Sequence, residues 1–135
     1  MIDVTCAIIL KNKKILVAQN KQNAHQAEKW EFPGGKIKSN ETPRQCIIRE
    51  IREELELSVS IIDELQAVAY DYGHKTIRLI PFICKINSGT VQLNDHQDVK
   101  WSGIGDLKEL DLAMADKALL EIQANLDLLE KYLGE

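Results

Sequence analysis

The chain has 135 residues, a length that suits one domain around one core. Apolar residues make up 44% and charged residues 28%, the balance of an ordinary globular protein. The formal charge of -4 excludes polyanion binding by bulk attraction, so no nucleic-acid polymer is an expected partner, and any phosphate chemistry needs a local positive element such as a metal ion.

Val4 to Leu10 is apolar and partly β-branched, Lys11 to Lys14 is a polar turn, and Ile15 to Ala18 is apolar again. This pattern predicts a two-stranded hairpin. Residues 20–29 are polar and read as a loop, after which Glu31-Phe32 runs into the breaker Pro33-Gly34-Gly35. The sharpest helix signal follows. Thr42 is a candidate N-cap, Pro43 suits the first helical position, Gln45 completes a capping box, and Ile47, Ile48, Ile51 and Leu55 recur at helical spacing. A helix is expected from about Pro43 to Leu55. Strands are expected at Val59 to Ile62, Gln66 to Tyr72 and Thr76 to Ile86, with Pro81 marking an edge or a bulge. Asn87-Ser88-Gly89 reads as a turn, Val91 to Leu93 as a short strand and Asp98 to Trp101 as another. A loop from Gly103 holds a helical turn near Asp106–Leu110, and Leu119, Leu120, Ile122, Leu126 and Leu129 predict one closing amphipathic helix from Asp116 to about Leu133. Strands between and around two helices make the class α/β with a mixed sheet.

The three cysteines, Cys6, Cys46 and Cys84, are odd in number, widely spaced and set among apolar residues. They read as reduced thiols in a core, the usage of a cytoplasmic protein. No stretch approaches the length that crosses a bilayer, and the first residues show no signal-peptide pattern, so no membrane partner is expected.

Glu50, Glu53 and Glu54 lie at i, i+3 and i+4 and share one face of the predicted helix. Taken alone they read as a solvated acidic face, and Arg49 as a surface partner of Glu53. Packed beside the apolar face of Ile47, Ile51 and Leu55, the same carboxylates suit a hard divalent cation such as magnesium. Gly34 to Leu57 decides between these readings. The run GGKIKSNETPRQCIIREIREELEL resembles the Nudix box, G-x5-E-x7-R-E-U-x-E-E-x-G-U, with Gly35, Glu41, Arg49, Glu50, Ile51, Glu53, Glu54 and Leu57 on its required positions. Glu56 stands where the family has its second glycine, the residue that turns the helix exit left-handed. The flanking Trp30 to Ile37, the Asp95 to Trp101 segment and the closing helix are similar to the MutT branch and to CTP pyrophosphohydrolases.

The resemblance implies a Nudix fold, a mixed sheet between helices, and a single domain over residues 1–135. It implies a magnesium-dependent enzyme (manganese as a substitute) that cuts a nucleoside triphosphate to monophosphate and pyrophosphate. The substrate implied is 8-oxo-dGTP or a related oxidised or modified nucleotide, which is nucleotide-pool sanitation in the service of DNA repair; CTP or a modified dCTP is the alternative. By the same resemblance Glu53 and Glu54 are metal ligands, Gly34 adds its backbone carbonyl, and Glu50 is a ligand or the base. Arg49 orients a glutamate and Glu41 braces the loop. Asp95 matches a position that often carries a metal-binding or basic glutamate. Lys36 is a phosphate contact or a solvated lysine. Asn20 stands where MutT enzymes have a phosphate-binding arginine, with Lys21 or Lys75 to compensate. Asp116 stands where MutT enzymes place the asparagine that reads the base; it is also a favoured N-cap. An ionised Asp116 would only accept hydrogen bonds. Trp30, Phe32 and Tyr72 are either base-stacking or core residues. His25, His74 and His96 lack metal-ligand spacing and are expected at the surface or behind the ligands.

A Nudix hydrolase of a sugar nucleotide, ADP-ribose or a dinucleoside polyphosphate ranks behind these readings, because the added motifs of those branches are missing. A binding module that has lost catalysis ranks behind them too, because every box glutamate is kept. Assembly as monomer or homodimer stays open.

Overall fold

The computed structural model describes residues 1–22, 24 and 26–134, so His25 lies outside the described residues. The predicted hairpin forms from β1 (Ile2–Lys11) and β2 (Lys14–Gln19), and Asn12 and Lys13 turn the chain at φ 52° and 64°. Two successive left-handed residues match the twist of the flanking strands, which is what lets so short a turn close. Then come β3 (Trp30–Glu31), β4 (Gly34–Lys36), α1 (Pro43–Leu55), β5 (Ser58–Glu64), β6 (Val68–Asp71), β7 (Thr76–Ser88) and β8 (Asp98–Ser102). Three short helices close the chain: α2 (Ile104–Leu107), α3 (Met114–Leu120) and α4 (Gln123–Gly134).

Among the described residues the strands form one mixed sheet, ordered β3-β2-β1-β7-β5, with β4 also on β1, β6 on β7 and β8 on β2. Its centre is a parallel seam in which β1 pairs with β7 from Ile2↔Ile77 to Leu10↔Lys85. Strand alternation sends Ala7 and Ile9 to one face and Cys6 and Ile8 to the other, and both faces are covered. α1 lays Ile47, Ile51 and Leu55 against the first face, and Leu107, Leu119 and Leu129 from the later helices cover the second. Each fully buried Ile or Leu contributes about 1.5–3 kcal/mol. The repulsion among three glutamates on α1 is about 0.2–0.5 kcal/mol per pair, so burial seats the helix and leaves its acidic face to be managed locally.

α1 begins and ends as predicted. Thr42 Oγ1 accepts from the Gln45 N–H while Gln45 Oε1 accepts from the Thr42 N–H, the reciprocal capping box. At the exit Glu56 itself adopts φ 57°, ψ 38°, and its N–H reaches the Arg52 carbonyl. The family's left-handed turn is therefore kept without its glycine, at a cost of about 1–2 kcal/mol.

Five expectations are corrected. Pro81 is neither on an edge nor in a bulge; it lies in the central β7, after the last β6 partner (Leu79↔Val68) and before the first β5 partner (Phe82↔Glu64). A residue without an N–H is tolerated where one neighbouring strand hands over to the next. Val91–Leu93 is not a strand, because the segment instead caps α1, with Gln92 and Asn94 N–H groups on the Leu55 and Glu54 carbonyls. Gly34 and Gly35, read as part of a breaker with Pro33, instead pair with β1 as the first residues of β4. The single closing helix is broken between α3 and α4. Asn125, 1% exposed, donates to the Leu119 and Gln66 carbonyls and accepts from the Gln66 N–H, which ties the break to the chain ahead of β6. Asp116 is no N-cap, since α3 starts at Met114 with Ala113 as cap and Asp116 lies buried in the first turn.

Candidate active site

The acidic face of α1 divides into two groups. The first is gathered by Arg49. Its Nε and Nη2 take both oxygens of Glu41 at 2.9 and 2.5 Å, its Nη1 lies 3.0 Å from Glu53 and 3.4 Å from Glu50, and its Nη2 also reaches the Lys36 carbonyl. Hydrogen bonds from Arg49 hold the Glu41 carboxyl down at about 2. Burial raises Glu50 above the ordinary carboxylate range; Arg49 opposes that shift and Glu53 adds to it. β4 can sit this close because its first two residues are glycine. A Cβ on Gly35 would overlap the Glu50 carboxylate, and one on Gly34 would overlap the Thr5 carbonyl across the strand pair. Cys46 lies under this group, its Sγ 3.1 Å from Thr5 Oγ1, and all three cysteines are buried free thiols as expected.

The second group surrounds Glu54. Its side chain is 13% exposed, and Oε1 is buried with no hydrogen-bond partner. Burial is the main reason its carboxyl is pushed up to about 8; His96 opposes the shift, and Glu50, Glu31 and Asp95 add to it. His96, expected at the surface or behind the ligands, has a side chain only 2% exposed. Its Nε2 lies 3.0 Å from Glu31 Oε2, and its Nδ1 faces Glu54 Oε2 at 3.8 Å without a hydrogen-bond partner. Burial lowers the imidazole's proton affinity, but Glu31, Glu54 and Asp95 outweigh it and raise the net value. Glu54, Asp95 and His96 form a group whose ligand atoms all lie within 4.8 Å of one another. A buried carboxylate with an unpaired oxygen, open on one side to an exposed aspartate, has the donor chemistry a divalent cation requires.

Glu31 links this group to a cavity of about 100 Å³ lined by Glu31, Phe32, Gly34, Tyr72, Ile77 and Asp116, among others. Asp116 Oδ2 accepts from the Phe32 N–H at 2.8 Å, and the Tyr72 hydroxyl accepts from the Ala115 N–H. Burial first, and Glu31 second, push the Asp116 carboxyl well above its ordinary range, which favours the neutral acid. A neutral acid donates as well as accepts, whereas an ionised one only accepts.

The other predicted residues are dispersed. Asn20 is buried, its amide donating to the Gln26 carbonyl and to Glu31 Oε1. Lys36 is exposed, and Lys75 lies in the β6–β7 turn with its carbonyl accepting from the Tyr72 N–H. Trp30 is away from the cavity lining and carries the Lys100 ammonium over its ring at 4.5 Å. His74 is exposed. Glu31 escaped sequence reasoning, and His96 was read only as a residue at the surface or behind the ligands. Neither belongs to the box, and only the adjacency of His96 to Asp95 pointed to it.

Comparison with known proteins identifies the family. Residues 1–121 match the NUDIX domain family. The chain is 36% identical over 121 residues to the CTP pyrophosphohydrolase of Escherichia coli (strain K12), covering 90% of each. It is 28% identical to the 8-oxo-dGTP diphosphatase of the same strain, covering 81% of this chain and 84% of the relative. Its fold superposes on the solution structure of the E. coli ORF135 protein with a TM-score of 0.81 at 33% identity, covering 100% of this chain and 95% of the other. It matches the MutT protein from Methanosarcina mazei Go1 in fold, with a TM-score of 0.83 at 22% identity and 94% of each chain covered. The match over residues 1–121, on a mixed sheet held between helices with the box on loop and α1, makes the chain a member of the Nudix family of hydrolases.

Proposed function

We propose that the chain hydrolyses nucleoside triphosphates to monophosphate and pyrophosphate with magnesium, or manganese in its place, and that it acts on 8-oxo-dGTP or related oxidised or modified nucleotides. The observation that carries this reading is the placement of the Glu54 group one side chain, Glu31, away from a cavity that holds a buried Asp116. Glu50, Glu53 and Glu54 hold the cation, with Asp95 and the Gly34 carbonyl completing the set. Bound there, a divalent ion supplies charge neutralisation on the phosphates and makes water more acidic. Glu50 accepts the proton of the attacking water or serves as a further ligand. Arg49 keeps Glu50 and Glu53 aimed, and Lys36 and Lys75 meet the phosphates. Little covalent help is needed, because phosphoryl-type transfer is mostly positioning and charge stabilisation.

Asp116 supports the base preference. With Oδ2 taken by the Phe32 N–H, a neutral Asp116 still presents an O–H donor beside a carbonyl acceptor. The O6/N7–H edge of 8-oxoguanine offers the complementary acceptor and donor, whereas unmodified guanine offers two acceptors there. Cytosine N3/N4 offers acceptor and donor as well. That edge, together with the relative named CTP pyrophosphohydrolase, favours CTP or a modified dCTP as the second reading. Phe32 and Tyr72 wall the base. Among the described residues no helix is long and apolar enough to cross a membrane, and the reading places the enzyme on free nucleotides in the cytoplasm, as monomer or homodimer.

Steady-state kinetics on 8-oxo-dGTP, dGTP, CTP and 5-modified dCTP, with pyrophosphate and orthophosphate measured separately, test this. Pyrophosphate release with the highest kcat/KM on 8-oxo-dGTP is expected. A preference for CTP selects the second reading, and orthophosphate as the first product rejects both.

A further inference from the structure

We infer that His96 is itself a metal ligand, through Nδ1, and that Glu54, Asp95 and His96 make a mixed nitrogen–oxygen site favouring a manganese-, cobalt- or zinc-type ion over magnesium. The inference rests on the reading that Glu54 holds a divalent cation. It differs in the donor atom and in the ion that donor selects.

The ring's other nitrogen fixes the argument. Glu31 receives the Asn20 amide on Oε1 and faces His96 Nε2 with Oε2 at 3.0 Å. A carboxylate only accepts, so the ring proton sits on Nε2. In the neutral ring Nδ1 then carries a lone pair. It points into the protein, it lacks a hydrogen-bond partner, and it faces Glu54 Oε2 across 3.8 Å. Glu54 Oε1 is equally buried and equally unpartnered. With a lone pair on Nδ1, that nitrogen and the Glu54 carboxylate, whose Oε2 lies 3.8 Å away, repel each other unless something positive lies between them. The choices are a proton and a cation.

The surrounding groups favour the cation. Metal-bound histidines characteristically donate their second ring N–H to a carboxylate, which fixes the tautomer and strengthens the donor. Glu31 occupies that place. Exposed Asp95 supplies a third donor on the open side, where an ion would enter. An all-oxygen site with room for water suits magnesium, whereas one imidazole shifts preference toward later first-row ions.

Pulsed electron paramagnetic resonance on the Mn²⁺-loaded full chain, without nucleotide, reads the ligand directly. Expected is nuclear modulation from a directly bound nitrogen. In His96→Gln, whose amide keeps a donor toward Glu31 but offers no Nδ1, the modulation disappears and Mn²⁺ Kd rises about tenfold or more, while Mg²⁺ affinity changes by less than about threefold. In Glu31→Gln the modulation stays, and Mn²⁺ binds about 10–100-fold more weakly. Mn²⁺ bound to the unaltered protein with no nitrogen modulation overturns the inference: the gap then holds a proton, and the proposed function stands. Absence of Mn²⁺ binding together with absence of hydrolysis overturns both. The unaltered protein alone decides, so misfolding of a variant does not blur the result.

Discussion

The two ends of the acidic face of α1 carry the same residue type in opposite states. Toward the start, Glu50 and Glu53, with Glu41 from the loop before the helix, share one guanidinium, so each has a partner within the protein. Toward the end, Glu54 has a buried oxygen with no partner and a histidine nitrogen beside it in the same condition. A folded chain seldom leaves such atoms unsatisfied, because each costs about 1–3 kcal/mol. The first group comes already held in place by Arg49, and the second presents atoms still without a partner.

Glu54→Gln tests that contrast most severely. The amide keeps the shape and loses the charge that holds a cation, so turnover should fall by at least about 10²-fold while the melting temperature holds or rises. Near-normal turnover would move the chemistry elsewhere. Next in size is Asp116. Replacement by Ala should cost about 10²-fold in kcat/KM, because a buried hydrogen-bonding edge of the base is left unpaired, whereas Asn, a neutral donor and acceptor, should stay within about tenfold. If Asn proves as damaging as Ala, Asp116 works ionised.

Glu41 probes the satisfied end. Its carboxyl is held at about 2 against an ordinary 4.5, so its support is complete above pH 4.5 and is lost as pH falls toward 2. Melting temperatures of Glu41→Gln and the unaltered protein, taken from pH 7 down to 2, should differ most above 4.5 and converge below. A constant gap at every pH would show that the pair is not the source. The smallest effect belongs to the helix exit. Glu56→Gly relieves a left-handed non-glycine residue and should raise stability by about 0.5–1 kcal/mol in chemical denaturation, with kinetics unchanged.

Features of the sequence that act over a few residues were legible. Thr42, Pro43 and Gln45 announce the start of α1 because cap and box are contacts between near neighbours. The alternation of β1 and the polar turn after it announce the hairpin for the same reason. Contacts across long separations were not legible. The apolar periodicity from Leu119 to Leu129 runs in phase through residues 121–122, so nothing local marks the break that Asn125 makes by reaching Gln66. In the site the box residues could be named from their spacing. Glu31 acquires its part only because β3 brings it beside His96 from a segment 65 residues away. The raised proton affinity of Asp116 likewise depends on burial and on Glu31, two facts that no pattern along the chain carries.

The parallel seam at the centre of the sheet bears on how the protein comes to exist. Val4 pairs with Leu79 and Ile8 with Ile83, so the innermost strand finds its partner only after most of the chain has been made. Such distant pairings close slowly, and until then the run from Cys6 to Leu10 offers an apolar edge to any strand nearby. During synthesis the early hairpin pairs only the Leu10 end of that run with β2, and Cys6 waits for Gly34 of β4, so the Asn12-Lys13 turn shields one end of the edge and the rest stays open until later strands arrive.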